Sequence, residues 1–333
     1  MKLNKTIVRY AVKSFAGAAL ATAAAFPVTG LAQSAADYPS KTVRLIVPFA
    51  PGGATDTLAR LAGASMSTRF KQPVVVENRP GGNTLIGLEA TAKSPPDGYT
   101  LTVTSSNVAT EQVVNKEWPL RVERDLATIS VFAGGGYAVT VSSATGVKSL
   151  KELIDYVKAN PGKVNQAEAG AISTDMAILK QRIGLPAVES ILYKGGPMSV
   201  QAILSGEVQI YGAAVLDVAS LHKAGRLRVI AYTERERHPL IPDVPTVAES
   251  NVGVNDFEAG FFFALMGPVG IPADILSRLN AAAVGMVREP EFLEKTNQFG
   301  MRVYPIGIVE SRNRIASVIK ATEAAQAAGI KLR

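Results

Sequence analysis

The chain has 333 residues, no cysteine, 47% apolar residues and a formal net charge of +7. Without cysteine there are no disulfides, thiolate nucleophiles or Cys-ligated zinc sites. Four of the basic residues, Lys2, Lys5, Arg9 and Lys13, crowd the start of the chain; the remaining 31 face 28 acidic ones. No Lys/Arg cluster of the kind a nucleic-acid patch needs is left, so no nucleic-acid partner is expected.

Residues 1–32 read as a secretory signal peptide. The basic residues precede an Ala-rich apolar run from Ser14 to about Val28, no acidic residue interrupts it, and the small residues Gly30 and Ala32 stand before Gln33. The run falls short of the roughly 20 residues of a membrane span and is broken by Pro27. The expected location is the periplasm, which a chain without thiols suits. About 300 further residues favour two domains.

Beyond the leader, short β-rich runs alternate with helical patterns. Val43–Val47, Val74–Glu77 and Tyr99–Thr104 read as strands, with helices at Thr57–Arg69 and Thr84–Ala92. Tyr137–Ser142 is a further strand, and Ser149 with Glu152 forms a capping box opening a helix over Leu150–Ala159. Strands at Val164–Ala167, Ser190–Tyr193, Val208–Ala213 and Leu227–Tyr232 then alternate with helices at Thr174–Ile183 and Met198–Leu204. An apolar strand Gly260–Met266, a helix from Pro272 to about Arg288 and a last one from about Glu310 to Ala328 complete the chain. The rhythm predicts an α/β fold of two units, each a mostly parallel sheet flanked by helices. Tyr137–Ser142 and Gly260–Met266 are expected to be crossover strands acting as a hinge.

The most informative local stretch runs from Val47 through Phe49, Pro51-Gly52-Gly53 and Ala54-Thr55-Asp56. It reads as strand, glycine turn and helix start. Glycines let a ligand approach the backbone, and the first helical turn offers unpaired N–H groups at the positive end of the dipole. Such a turn is an anion cradle. Packing alone could produce the same pattern.

Catalytic motifs are missing. Gly134-Gly135-Gly136 lacks the later glycine of a dinucleotide fingerprint, and Gly63-Ala64-Ser65-Met66-Ser67 ends in the wrong residue for a nucleophile elbow. His222 and His238 have no zinc-ligand partner at helical spacing and read as surface residues. Asp56, Asp175 and Asp217 fall near helix starts and read as caps. No catalytic residue, metal or cofactor is expected.

Several motifs in order resemble one family. They are Tyr38-Pro39 with Val43 to Gly53 and Asp56; Val76-Glu77-Asn78-Arg79-Pro80-Gly81-Gly82; Pro96-Asp97-Gly98-Tyr99-Thr100-Leu101; Tyr193-Lys194-Gly195-Gly196; Gly225-Arg226-Leu227-Arg228; and Pro242-Asp243-Val244-Pro245-Thr246 with Glu249. The sequence is similar to the periplasmic solute-binding receptors of tripartite tricarboxylate transporters, the Bug-type proteins. The resemblance implies a two-lobed, flytrap-like receptor: lobe one at 38–139 plus 260–333, and an inserted lobe two at 140–259. It implies a carboxylate held between lobes by backbone amides and hydroxyls. The site residues it implies are Phe49, Gly52, Gly53, Ala54, Thr55 and Asp56 with Ser105 and Ser106 of the Thr104–Asn107 turn. Opposite them it implies Glu168, Ala169, Gly170, Ser173, Thr174, Gly195, Gly196 and Pro197.

Relatives of this type usually carry a glycine where Ile172 stands, a histidine near Met176, a small residue at Glu168 and a tryptophan near Phe261–Phe263. A Glu168 facing the cleft would repel a second carboxylate; a Glu168 facing solvent would not act on the ligand at all. The expected ligand is a small organic acid, with aromatic or amphipathic ones favoured over a citrate-like tricarboxylate. The expected partner is a membrane permease, with the receptor a monomer. The alternatives are a sensor subunit on the same fold and an exported α/β enzyme.

Overall fold

The computed structural model describes residues 38–168, 172–193 and 196–330. The leader at 1–32 lies outside them. No helix among the described residues is long and apolar enough to cross a membrane.

The chain runs β1 (Val43–Val47), α1 (Ala54–Phe70), β2 (Val74–Asn78), α2 (Leu85–Ala92), β3 (Thr100–Ser105), α3 (Asn107–Val114), α4 (Val122–Asp125) and β4 (Leu126–Gly135). It continues through β5 (Tyr137–Ser142), α5 (Leu150–Ala159), β6 (Asn165–Glu168), α6 (Ile172–Arg182), β7 (Glu189–Leu192), α7 (Gly196–Ser205), β8 (Ile210–Ala214), α8 (Val215–Lys223) and β9 (Leu227–Tyr232). Then come β10 (Phe261–Pro268), α9 (Ala273–Met286), α10 (Pro290–Gln298), β11 (Arg302–Val303) and α11 (Ile308–Ala327). The capping box at α5 forms as its sequence dictates: Glu152 N–H donates to Ser149 Oγ at 3.1 Å, and Lys148 N–H to the Glu152 carboxylate at 2.9 Å.

Among the described residues two sheets form, with orders β11-β4-β10-β3-β1-β2 and β7-β6-β8-β5-β9. Both are mixed rather than mostly parallel. β1 is parallel to β2 and β3, and β6 to β7 and β8, as helical crossovers require. β10 runs antiparallel to β3 and β4, and β5 antiparallel to β8 and β9. The reason is connectivity. β5 and β10 enter from the other sheet, at the face where the parallel strands end, and so must run against them.

The switch between sheets also differs from the expected crossover strands. β4 ends at Gly135 and β5 starts at Tyr137, so Gly136 alone joins the two sheets; the return is at Gly260, before β10. Side chains are excluded here by the close approach of the two passes. A Cβ at Gly134 would lie 2.2 Å from the Phe261 carbonyl oxygen, and one at Gly260 would lie 2.3 Å from that of Gly135.

Each sheet is covered on both faces. β10 sends Phe263 and Leu265 into a core with Leu58 of α1 and Leu279 of α9, and Phe262, Ala264 and Met266 into one with Val108 of α3 and Ile315 of α11. β5 alternates likewise, with Val139 and Val141 against α5 and α6 and Ala138 against α7 and α8.

Candidate functional site

Strand direction places the candidate loops. β1 and β3 are parallel neighbours, so the glycine turn after β1 and the Ser105–Ser106 turn after β3 leave the same end of the first sheet. β6, β7 and β8 are likewise parallel, so the segments after Glu168, Leu192 and Ala214 share one end of the second sheet. Both ends meet at the crossing: Phe263 of β10 pairs with Ser105, and Tyr137 of β5 pairs with Ala214. The Tyr137 and Phe261 rings lie 5.9 Å apart, and Phe261 and Phe263 6.0 Å apart, giving the junction an aromatic floor. Phe49 packs against the same core as Phe261 and Phe263.

On the first-sheet side, Gly52, at φ +91°, and Gly53 are exposed, and a Cβ on either would meet no described residue within 4 Å. Thr55 is buried and Ala54 and Phe49 part-buried. Asp56 holds the turn. At 4% exposed, its carboxylate accepts from Gly52 N–H at 2.9 Å, from Asn78 Nδ2 at 2.9 Å and from Arg60 Nε at 3.1 Å. Asn78 also donates to the Phe49 carbonyl at 3.1 Å. These bonds and the Arg60 charge outweigh desolvation, the largest single influence, and keep Asp56 below the usual carboxylate range. Asp56 was expected among the ligand contacts; its oxygens are instead committed to the loop that would make them.

The second turn is similarly braced. Ser106 N–H donates to the Phe262 carbonyl at 2.9 Å, Ser105 Oγ to Asn107 Oδ1 at 2.7 Å, and Asn107 Nδ2 to Thr84 Oγ1 at 3.2 Å. Ser105 is part-buried and Ser106 buried, whereas Thr104 is fully enclosed in the sheet.

On the second-sheet side, Ala169, Gly170 and Gly195 lie outside the described residues, as does Lys194; Ser173 falls in the first turn of α6. Thr174 is buried, Gly196 and Pro197 open α7, and a Cβ on Gly196 would come within 2.8 Å of Asp217 Oδ2. Glu168 and Thr174 share the wall of one cavity. Met176 is buried in the core under α6.

Asp175, in the first turn of α6, lines a cavity of about 280 Å³ together with Gly260 and residues of α11. Burial lifts its carboxyl to about 7 from an ordinary 3.8. In the unfolded chain it ionises near the ordinary value, so the folded state loses stability as pH rises from about 4 to about 7 and no further above that. Asp175→Asn should therefore gain melting temperature over the wild type, with a wider gap at pH 8 than at pH 5. Melts showing an equal gap at both pH values would contradict this.

The histidines are not surface residues. His238 is 3% exposed; Leu240 N–H donates to its Nδ1 at 3.1 Å, so its Nε2 donates to the Gly300 carbonyl at 3.1 Å. His222 receives Val229 N–H on Nδ1 and meets Asp243 through Nε2, both at 3.2 Å. Both brace loops.

Sequence reasoning missed the network around Glu234, just past β9. This carboxylate, 3% exposed, accepts from Arg314 at 2.8 Å, from Tyr304 Oη and from Tyr232 Oη at 3.2 Å, with Arg302 at 3.8 Å. Tyr232 Oη in turn accepts Gly136 N–H at 2.7 Å, and Thr233 Oγ1 accepts Tyr137 N–H while donating to the Ala259 carbonyl, both at 2.7 Å. Both passes of the crossing are thus tied to residues 232–234. Only tertiary structure brings these partners together.

Comparison with known proteins agrees with this architecture. Residues 58–326 match the tripartite tricarboxylate transporter family receptor. The chain is 35% identical to protein BugT of Bordetella pertussis, over 74% of this chain and 76% of BugT. It is similar to an R. palustris structure with adipate, at 26% identity and TM-score 0.68, covering 88% of this chain and 99% of that one. It is also similar to MatC of Rhodopseudomonas palustris with bound malate, at 25% identity and TM-score 0.63, covering 86% and 99%. The fold is accordingly the two-lobed α/β fold of periplasmic binding proteins, and the chain is a binding protein rather than an enzyme. It belongs to the receptor family of the tripartite tricarboxylate transporters.

Proposed function

We propose that this chain is a periplasmic receptor that captures a small carboxylate between two lobes, one built on each sheet and divided at Gly136 and Gly260 rather than at the expected 139/140, and delivers it to a membrane permease. The observation that carries the reading is the convergence of both sheets' carboxyl-end loops on the Gly136 and Gly260 crossing. In this reading the backbone around Gly52 and Gly53, with Ala54 and Thr55 at the start of α1, holds a carboxylate, helped by Ser105 and Ser106. Thr174, Gly196 and Pro197 meet the ligand from the second lobe, together with Ser173 and the segments at 169–170 and 195. Differential affinity for the closed state draws the lobes together, and the closed monomer docks on the permease.

The aromatic floor of Phe261, Phe263 and Tyr137 favours an acid with an apolar middle or ring over a citrate-like tricarboxylate. The acids in the two related structures, adipate and malate, support the carboxylate class. Thermal-shift screening followed by calorimetry tests the choice. Adipate or an aromatic monoacid at 100 times its Kd should stabilise the receptor by about 2.7 kcal/mol. Tight citrate binding with no response to those acids would overturn it.

A further inference from the structure

A cavity of about 350 Å³ lies beside α6, lined by Glu168, Thr174, Lys180, Gln181 and Ser190 and by the Ala328–Ile330 turn beyond α11. That volume is at the small end of ligand sites. Its chemistry is unusual for a packing defect. Lys180 is only 7% exposed, and its ammonium donates to the Val188 carbonyl at 3.1 Å and to Ser190 Oγ at 2.8 Å. Those bonds use two of the three N–H groups an ammonium carries. Among the described residues Lys180 forms no ion pair within 4 Å. Burial holds it below the usual lysine range, and the Glu168 charge on the same wall acts in the opposite direction.

A second observation comes from the strand beneath. Gln166 pairs in register with Ser190 and shares its face of the sheet. It is 0% exposed, and among the described residues neither its amide nitrogen nor its amide oxygen has a hydrogen-bond partner. Buried amides are ordinarily satisfied. The cavity wall thus carries a buried cation with an unused donor, an anion and two hydroxyls, and an unsatisfied amide stands one strand away, next to Ser190.

We propose that this cavity is a second binding site, for the zwitterionic head of an amino acid: carboxylate on Lys180 and the Thr174 and Ser190 hydroxyls, ammonium on Glu168. Charge matching selects this class. A plain acid leaves Glu168 facing an anion with no new partner, and a plain amine leaves Lys180 facing a cation. A zwitterion alternates the charges around the cavity. The site adjoins the proposed carboxylate cleft at Thr174 but does not use the glycine turn.

The test is calorimetry, in the Gly53→Val background that blocks the glycine-turn cleft, with L-leucine, 4-methylpentanoate, which lacks the ammonium, and isopentylamine, which lacks the carboxylate. That background should bind leucine at least tenfold more tightly than either analogue. Glu168→Gln should weaken leucine at least tenfold while leaving 4-methylpentanoate unchanged or tighter. Lys180→Met should weaken both. Because Lys180 also fastens β7, Glu168→Gln, at a side chain with no hydrogen bond or ion pair among the described residues, carries the test if Lys180→Met fails to fold. Equal binding of leucine and 4-methylpentanoate in the Gly53→Val background, or leucine binding unmoved by Glu168→Gln, would overturn the assignment. Adipate and an aromatic monoacid titrated in parallel separate the two readings. Wild-type binding of adipate or an aromatic monoacid without leucine binding removes this site alone, whereas leucine binding lost in Glu168→Gln with no binding of either acid leaves this site standing and removes the carboxylate cleft.

Discussion

Glu234→Ala should destabilise the receptor by about 3–5 kcal/mol, the largest effect expected of any single polar substitution in it. The carboxylate is almost fully enclosed and collects Arg314, Arg302, Tyr304 and Tyr232 at one point. Removing it strands the two phenols, whose ionisation is suppressed mainly by burial and then by the Glu234 charge. The arginines are partly rescued, since Arg314 keeps Glu258 and Arg302 keeps Glu236, which places the expected cost toward the lower end. Glu234→Gln keeps the shape and some acceptor capacity, so about 1–3 kcal/mol is expected. Urea denaturation of the two variants measures both. A cost below about 1 kcal/mol for alanine would mean that the network holds no stability. Because Tyr232 also takes the Gly136 N–H, the alanine variant should loosen amide exchange at the crossing before it loosens either core.

The elements that were legible in the sequence are those whose cause is local. Leu150–Ala159 begins and ends where its capping box and the Asn160-Pro161-Gly162 stop place it, and Leu227–Tyr232 is a strand over its expected length. β4 left no such trace. All ten of its residues are buried, so it lacks alternation, and Thr128, Ser130 and two glycines dilute its apolar signal. Missing β4 displaced the first of the two passes: Tyr137–Ser142 was expected to cross between sheets, whereas it lies wholly in the second sheet and that pass is made at Gly136, with the return at Gly260. The glycines around it are required by a neighbouring pass about 125 residues later in the chain, and no window of sequence contains both. The site divides in the same way. The glycine turn could be found because it is one contiguous stretch, but the role of Asp56 could not, since it depends on Asn78 arriving from β2. The Glu168–Lys180 cavity is readable only once β6, α6 and β7 are stacked.

Gly53→Val should weaken ligand binding by more than about 1.4 kcal/mol, or tenfold, with little change in fold. The two glycines of the turn are not equivalent. Gly52 sits at φ +91°, where valine is strained, so a defect there would mix misfolding with lost binding. Gly53 sits at φ −79° and ψ 173°, which valine adopts readily, and no described residue comes within 4 Å of a Cβ built there. Its carbonyl already accepts Thr57 N–H at 3.0 Å as the first bond of α1, and that bond survives any side chain. The fold should therefore lose about 1 kcal/mol or less, the ordinary cost of a branched residue in place of glycine at a helix start. What the new side chain does occupy is the approach to the backbone N–H groups of the first turn, where a carboxylate would sit. Gly53→Ala should fall between the two, because one methyl blocks less of that approach. Calorimetry with the best acid from the screen, alongside a melt for each variant, reads binding and stability separately. An affinity within twofold of wild type for Gly53→Val would move the site away from this turn, since a ligand resting on that backbone has no route around three added carbons.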